Sequence, residues 1–289
     1  MYYPKISIVT PSFNQGQYLE QTILSIIEQS YPNLEYIIID GGSTDNSVEI
    51  IKKYEKYLAY WESEQDKGHY HAVQKGFEKS TGEIMTYLNS DDVLYPHSLS
   101  IIAELFQSYS QIQWIHGMPA HIDEHGKTVR IHTLPKWNKY RYYRYDYKFI
   151  QQEGTFWRRS LWEKAGGYIS THYLLASDLE LWLRFFQYAE LYAINTLIGA
   201  YRLRSANQKS LEQLTEYCKE AEIILRNHHL NEHEKRELRR IRLIENTLLK
   251  IPILKDWKWL QDKFYYSSLV FRFTPNFDFD RTTQKFFLK

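Results

Sequence analysis

"KISIVTPSFNQGQYLEQTILSIIEQSYPNLEYIIIDGGSTDNSVEIIKKYEKY" (Lys5–Tyr57) switches between two hydrophobic periods. Lys5–Thr10 reads as a buried strand, and Leu34–Asp40 as a second. Between them, Tyr18–Ser30 repeats apolar residues at helical spacing, with Leu19, Ile23, Ile26 and Ile27 on one face. Asn46–Tyr57 reads as a second helix that Asp45 or Asn46 can cap. The alternation continues through a strand at Leu58–Ser63, a short helix at Tyr70–Ser80 and a strand at Glu83–Leu88. Strands and helices joined by short polar connections build a parallel sheet with helices on its faces. Ligands of such sheets bind at the C-terminal strand ends, and polar residues collect there: Thr10–Asn14, Asp40–Asp45, Glu64–Gly68 and Asn89–Asp92. Four separate segments are expected to converge on one crevice.

Further on, His97–Tyr109 reads as a helix, and Ile112–Leu134 as strands joined by a turn at Glu124–Gly126. Lys136–Phe149 is basic and aromatic and reads as a loop or flap, Leu179–Leu191 as a buried helix, and Leu191–Leu203 as a strand. Past Ser210 two charged helices are expected, at Leu211–Asn227 and Glu232–Lys250, before the mixed basic and aromatic stretch Ile253–Phe273.

A chain of 289 residues with 43% hydrophobic content accommodates one large α/β domain with an appendage, or two small domains. The net charge of +1 gives no basis for nucleic-acid binding. Aromatics at 16% supply stacking surfaces that suit sugars and bases. The single cysteine, Cys218, excludes an internal disulfide and a cysteine-rich metal site, and is read as a packing residue. The opening MYYPKISIVTP lacks the basic start and long apolar stretch of a secretion signal, and no run approaches the roughly 18–20 apolar residues of a membrane span. A cytoplasmic location is expected.

The polar ends carry the chemistry. Asp91 and Asp92 stand side by side after the fourth strand. Such a pair either holds Mg²⁺ or Mn²⁺ through oxygen ligands, with phosphates completing the shell, or forms a solvated turn that caps the next helix. In "DGGSTDNS" (Asp40–Ser47), Gly42 lets backbone approach a ligand and Ser43 offers an amide and a hydroxyl; the alternative is a plain strand-to-helix turn. At the third strand end Asp66 and Gly68 can meet a ligand and Lys67 can face phosphate, or the segment is a polar loop. No G-x-G-x-x-G follows the first strand and no Walker loop is present, so neither dinucleotide binding nor ATP hydrolysis has support.

Taken in order, "TPSFNQGQYLEQTILSI", "YIIIDGGSTDNS", "SEQDKGHYHAVQKG" and "GEIMTYLNSDD" closely resemble family 2 glycosyltransferases of the GT-A fold. "IQQEGTFWRRSLWEKAGGY" and "ASDLELWLR" resemble that family's acceptor-side segments, and the likeness runs over roughly residues 4–210. It implies a Rossmann-like, mostly parallel sheet flanked by helices at residues 1–210, with a nucleotide-sugar half (1–95) and an acceptor half (96–210), followed by a helical C-terminal appendage at 211–289. It implies an inverting enzyme that moves a sugar from a nucleotide-diphosphate donor, a UDP-sugar by preference, to a saccharide or lipid-linked acceptor, with Mn²⁺ or Mg²⁺ as cofactor. Residue by residue, Thr10, Pro11 and Ser12 contact the nucleotide. Asp40 recognises uracil and Asp66 also meets the base. Asp91 lies near the ribose, Asp92 ligates the metal, and Asp178 is the general base. Glu153 and Trp157 border the acceptor.

The chain departs from the family pattern at His71 and Gln74, where relatives often carry Asp and Asn, and at Arg204, where they commonly carry a histidine able to complete the metal shell. Arginine cannot ligate a cation, so Arg204 or Lys209 is expected to face the donor diphosphate directly. Nine Lys/Arg against four Asp/Glu between Lys235 and Lys263 suit an anionic membrane surface, or a face packed on another subunit of a homo-oligomer. Two other functions stay open: a sugar-nucleotide-binding partner without catalysis, and a nucleotidyltransferase, which would release pyrophosphate.

Overall fold

The computed structural model describes residues 2–134, 138–145, 150–204, 213–248, 273 and 276–289. Two compact units are present: one of residues 1–135, 149–221 and 275–289, the other of residues 136–148 and 222–274.

In the first unit the expected alternation appears as β1 (Ile6–Ser12), α1 (Gly16–Ile27), β2 (Leu34–Asp40), α2 (Ser47–Tyr54), β3 (Tyr60–Ser63), α3 (His69–Lys79) and β4 (Ile84–Tyr87). The two-residue β5 (Val93–Leu94) and α4 (Ser98–Ser108) follow, then β6 (Trp114–Met118), β7 (Ala120–Ile122) and β8 (Thr128–Ile131). The short α5 (Lys139–Tyr142) belongs to the second unit. The first unit resumes with β9 (Thr155–Arg158), α6 (Arg159–Lys164), α7 (Ser177–Phe185), β10 (Leu191–Leu197) and β11 (Gly199–Arg202). Helices Leu214–Asn227 and Glu232–Leu248 and the strands β12 (Asn276–Asp280) and β13 (Lys285–Leu288) complete the described elements.

Among the described residues nine strands form the main sheet, in the order β13-β12-β10-β6-β9-β4-β1-β2-β3. Parallel pairing joins β3, β2, β1 and β4 on one side and β6, β10 and β12 on the other; β9 is antiparallel to both its neighbours. The central strands are buried on both faces, which is why they read as near-continuous apolar runs. Leu19, Ile23 and Ile26 of α1 and Leu99, Ile102 and Leu105 of α4 join Ile6, Ile8, Tyr36 and Ile38 in one core cluster. A second, four-stranded sheet, β5-β11-β7-β8, lies beside the acidic motif.

Two expectations are amended. Leu191–Leu203 is two strands, not one: β10 belongs to the main sheet and β11 to the small one. The C-terminal region is not helical throughout, because β12 and β13 form an antiparallel pair that extends the main sheet through β10. Phe277 and Phe286 of this pair enter the main core, and the Tyr109 hydroxyl donates to the Phe286 carbonyl at 2.6 Å. Of the basic and aromatic stretch, residues 253–272 lie outside the described residues, as does Lys209. Within the second unit, buried Glu234 accepts from Lys139 Nζ (2.8 Å), the Tyr143 hydroxyl (3.0 Å) and the Asn231 N–H (2.9 Å).

Candidate active site

The parallel registers bring β1, β2 and β3 to one edge: Ser12 lies opposite Asp40, and Asp40 opposite Ser63. An unbroken series of contacts then runs along that edge. Asp66 lies against Gly41, where a Cβ would stand 2.9 Å from an Asp66 carboxylate oxygen. Ser43 donates its hydroxyl to Asp40 (2.6 Å) and receives the Asn14 N–H (2.8 Å), while Asn14 Oδ1 accepts from the Thr44 N–H (2.9 Å). Next to Asn14, the Gln15 side chain accepts from Arg204 (3.3 Å), and Arg204 is ion-paired with Asp91 at 3.1 Å. The four loops singled out at the strand ends therefore do converge, the first and fourth joined through Arg204, 189 residues from Gln15.

Individual side chains divide into those that build this rim and those that face out of it. Asp40 has no accessible surface, and four donors fill its carboxylate: the Gly42 and Ser43 N–H groups (3.2 and 2.8 Å) and the Ser43 and Ser63 hydroxyls (2.6 and 2.7 Å). Asp40, expected at the uracil, thus shapes the loop through these donors. Gly42 sits at φ +81°, a left-handed conformation that a side chain would strain. Thr10 is buried beneath the rim and accepts from the Tyr36 hydroxyl (3.2 Å); Pro11 and Ser12 are also buried. Asp66 is half-buried and accepts from the Gly68 N–H (2.7 Å), and Lys67 is exposed. Phe13, which pattern reading passed over, exposes 58% of its surface between Ser12 and Asn14. The available signal was an aromatic at a strand end with no place in the helical or strand period.

The acidic motif is held by β11. Asp92 is wholly buried; one carboxylate oxygen accepts from the Arg202 N–H (2.8 Å) and the other from the Asn89 side chain (2.9 Å). Asp91 keeps partial exposure. Of the two, Asp92, expected to ligate the metal, is enclosed by protein donors, and Asp91, expected near the ribose, presents the accessible oxygen. Arg202 is a second residue that pattern reading missed. Fully buried, it donates to the carbonyls of Asp91, Asp123 (2.9 Å) and Glu124 (3.1 Å) and to Gln21 (2.7 Å), and lies over the Tyr18 ring at 4.9 Å. It ties α1, the acidic motif and the β7–β8 turn together. Two arginines at a strand end look alike in sequence; only the fold decides that Arg202 points inward.

Beside them Glu153 is buried within hydrogen-bonding reach of Asp92. One oxygen each of Glu153, Gln152 and Asn89 is buried with no hydrogen-bond partner among the described residues. Burial pushes the Glu153 carboxyl up to about 7, with the nearby Asp91 and Asp178 charges acting in the same direction. Burial, then the Asp91 and Glu153 charges, hold Asp92 well above the ordinary carboxylate range. Asp91 is raised too, because burial outweighs the opposing Arg204 charge. Trp157, expected to stack on the acceptor, has no accessible surface: its ring packs among Phe77, Trp182 and Phe185 in the core.

Asp178 opens α7 and is half-buried; its carboxylate accepts from the Leu179 N–H (2.8 Å) and faces Tyr70 of α3. Burial raises it to about 6. Gln74, one of the departures from the family pattern, accepts from the Ile169 N–H (2.9 Å) and so fastens α3 to the loop before α7.

Among the described residues no group of three or more His, Cys, Asp or Glu side chains is placed to hold a metal ion. The donor set fits a divalent cation in one way: a single accessible carboxylate, Asp91, with the remaining ligands coming from a diphosphate and water, as is usual for Mg²⁺.

Comparison with known proteins agrees with this geometry. The sequence profile of the family described as "Glycosyl transferase family 2" matches residues 7–161. The chain belongs to glycosyltransferase family 2. It is 34% identical over 130 residues to an uncharacterised glycosyltransferase of Nostoc sp., covering 43% of this chain and 39% of that protein. It is 36% identical over 136 residues to one of Haemophilus influenzae, covering 46% and 54%. Over 94 residues it is 37% identical to a Bacillus subtilis glycosyltransferase whose name assigns it provisionally to teichuronic acid biosynthesis, covering 31% and 36%. The matched region thus spans about half or less of these relatives. Among solved structures, S. aureus TarS 1-349 in complex with UDP-GlcNAc superposes with a TM-score of 0.64 at 16% identity, covering 89% of this chain and 77% of that one. The mannosyltransferase PcManGT of Pyrobaculum calidifontis, in complex with GDP-Man and Mn²⁺, gives 0.61 at 15% identity, covering 91% and 85%. Both likenesses establish the GT-A fold. No helix among the described residues is long and apolar enough to cross a membrane.

Proposed function

We propose that this chain transfers a sugar, with inversion, from a nucleotide-diphosphate donor to a hydroxyl of a saccharide or lipid-linked saccharide in surface polysaccharide assembly. The observation that carries this reading is the contact series from Asp66 through Asp40, Asn14 and Arg204 to Asp91, with Asp178 reaching the same strand ends through Tyr70. The UDP-GlcNAc and GDP-Man bound by the two structural neighbours support a nucleotide-sugar donor, and the Bacillus relative supports a polysaccharide product.

In this reading the base stacks on the exposed Phe13 ring and meets the half-buried Asp66, while Asp40 holds the 41–43 loop in shape for it. Asp91 would hold a divalent cation, which would supply positive charge to the diphosphate leaving group. Arg204 stands at the same carboxylate and adds a fixed positive charge beside the leaving group. The acceptor oxygen bonds to the anomeric carbon as the bond from that carbon to the diphosphate oxygen breaks. Asp178 takes the hydroxyl proton; a carboxylate raised to about 6 is ionised at neutral pH yet basic enough to do so. The exposed Lys235, Arg236, Arg239 and Arg242 of helix Glu232–Leu248 support attachment to an anionic lipid surface.

The test is a screen of UDP- and GDP-sugars with Mn²⁺ or Mg²⁺ by thermal shift, followed by assay of nucleoside diphosphate release with saccharide acceptors. Asp178→Asn is expected to cut transfer by about 10²–10⁴-fold while donor binding persists. Full transfer by that variant would remove the proposed mechanism.

A further inference from the structure

The helix that carries Asp178 is not capped by its own sequence. Its N-cap position is Ala176, which makes no side-chain cap hydrogen bond. Leu174, just before it, adds little apolar burial, being 73% exposed. The backbone is fastened by a carboxylate from well outside the acceptor segment. Glu220, on helix Leu214–Asn227, accepts from three successive N–H groups: Leu174, Leu175 and Ala176, each at 2.9 Å. Successive amides converging on one anion form a nest, and charge-assisted bonds of this kind are about twice as strong as neutral ones. A second tie, from the Tyr70 hydroxyl to the Leu175 carbonyl (3.0 Å), orients the same turn.

We propose that Glu220 is the positioning residue of the reaction: its carboxylate gathers the 174–176 backbone and so presents Asp178 to the acceptor hydroxyl. The proposal rests on the reading of Asp178 as proton acceptor. It gives the helix beyond residue 210 a part in catalysis, where its charge pattern alone suggests a solvated appendage. Glu220 acts through charge as well as geometry. The titratable groups facing Asp178 are Tyr70, Tyr87, Glu153 and Glu220; after burial, the Glu220 charge helps to hold Asp178 above its ordinary value. Removing that charge lets Asp178 stay ionised to lower pH.

The experiment compares the full chain with Glu220→Ala, Glu220→Gln and Asp178→Asn, using amide hydrogen exchange at residues 174–176, UDP calorimetry and steady-state transfer. Glu220→Ala is expected to lose protection at those amides and to lower kcat by about 10–100-fold, as misplacement of a reacting group does, with UDP affinity and donor KM unchanged. Glu220→Gln keeps one accepting oxygen and should fall between, with the acidic limb of kcat/KM moved to lower pH. UDP binding by each variant certifies its fold. Unchanged protection and unchanged kcat in both Glu220 variants, alongside a dead Asp178→Asn, would overturn the positioning role alone. Transfer by Asp178→Asn would overturn the base reading and this proposal with it.

Discussion

The two edges of the same sheet hold acids buried in opposite ways. At the N-terminal edge, Glu35 of β2 is buried and saturated: Lys5 Nζ, the Ser7 hydroxyl, and the Thr81 N–H and hydroxyl all reach it at 2.5–2.7 Å. Burial alone would raise its carboxyl, but these donors outweigh it and hold the group at about 2. At the C-terminal edge, Asp91, Asp92, Glu153 and Asp178 are all raised, burial first in each case. Among the described residues several oxygens around them have no donor. A buried acid with a full set of donors ties strands together; buried acids short of donors are poised for a ligand that brings them. The contrast separates acids and not whole edges: Asp40, at the C-terminal edge, is saturated like Glu35.

Glu35→Ala tests the first half of that contrast. It strands the Thr81 N–H and the Ser7 hydroxyl and should destabilise the fold by about 2–3 kcal/mol in urea titration. UDP affinity of the folded fraction should not change. A loss of nucleotide affinity without loss of stability would reverse the assignment of these acids.

Glu153→Gln tests the second half, with a smaller effect of opposite sign. A group raised from 4.5 to about 7 stabilises the fold fully only below 4.5, and that contribution is lost as pH rises through 7. Asp178 acts in the same direction, over a window ending near 6. Stability of the ligand-free protein should therefore fall between about pH 4 and 7. Replacing Glu153 by its neutral isostere should flatten that fall and raise stability at pH 8, by on the order of 1–2 kcal/mol. An unaltered slope would show that Glu153 is not part of the strained set.

How much of this was readable beforehand follows from what is local. The change of period from Lys5 to Leu88 exposed the strands and helices, and with them the edge where ligands bind. The acids were visible by type, but their roles were not. Asp40 and Asp66 each end a polar loop; only the Ser63 hydroxyl and the neighbouring amides make Asp40 a scaffold residue. Asp91 and Asp92 differ by one position, and the N–H of Arg202, 110 residues away, decides which is enclosed. Trp157 is expected at the acceptor only from its segment's likeness; the strand period alone does not say which face β9 turns to the core. The β12–β13 pair escaped because its short alternation, NFDFD and KFFL, takes its meaning only from the open side of β10. Glu220 escaped for the same reason as Arg202: a charge on a polar helix reads as solvated until its partners are in place.

The smallest effect concerns the cation at the C-terminal edge. Asp91 is the accessible acid, and in the ligand-free protein Arg204 already neutralises it at 3.1 Å. A divalent ion must compete with that guanidinium unless a diphosphate draws it away, so metal and nucleotide should bind together and Mn²⁺ alone only weakly. Arg204→Ala removes the competitor and also one positive charge from the leaving group. UDP affinity in the presence of Mn²⁺ should fall only about tenfold, ~1.4 kcal/mol, because the ion compensates in part, whereas Mn²⁺ binding without nucleotide should become measurable by calorimetry. Arg204→His should strengthen the nucleotide-free Mn²⁺ site further, since imidazole is a ligand where guanidinium is not. If the unaltered protein already binds Mn²⁺ tightly without nucleotide, the ion pair is no barrier. The acids at this edge would then be held in readiness for metal itself, not for the diphosphate that brings it.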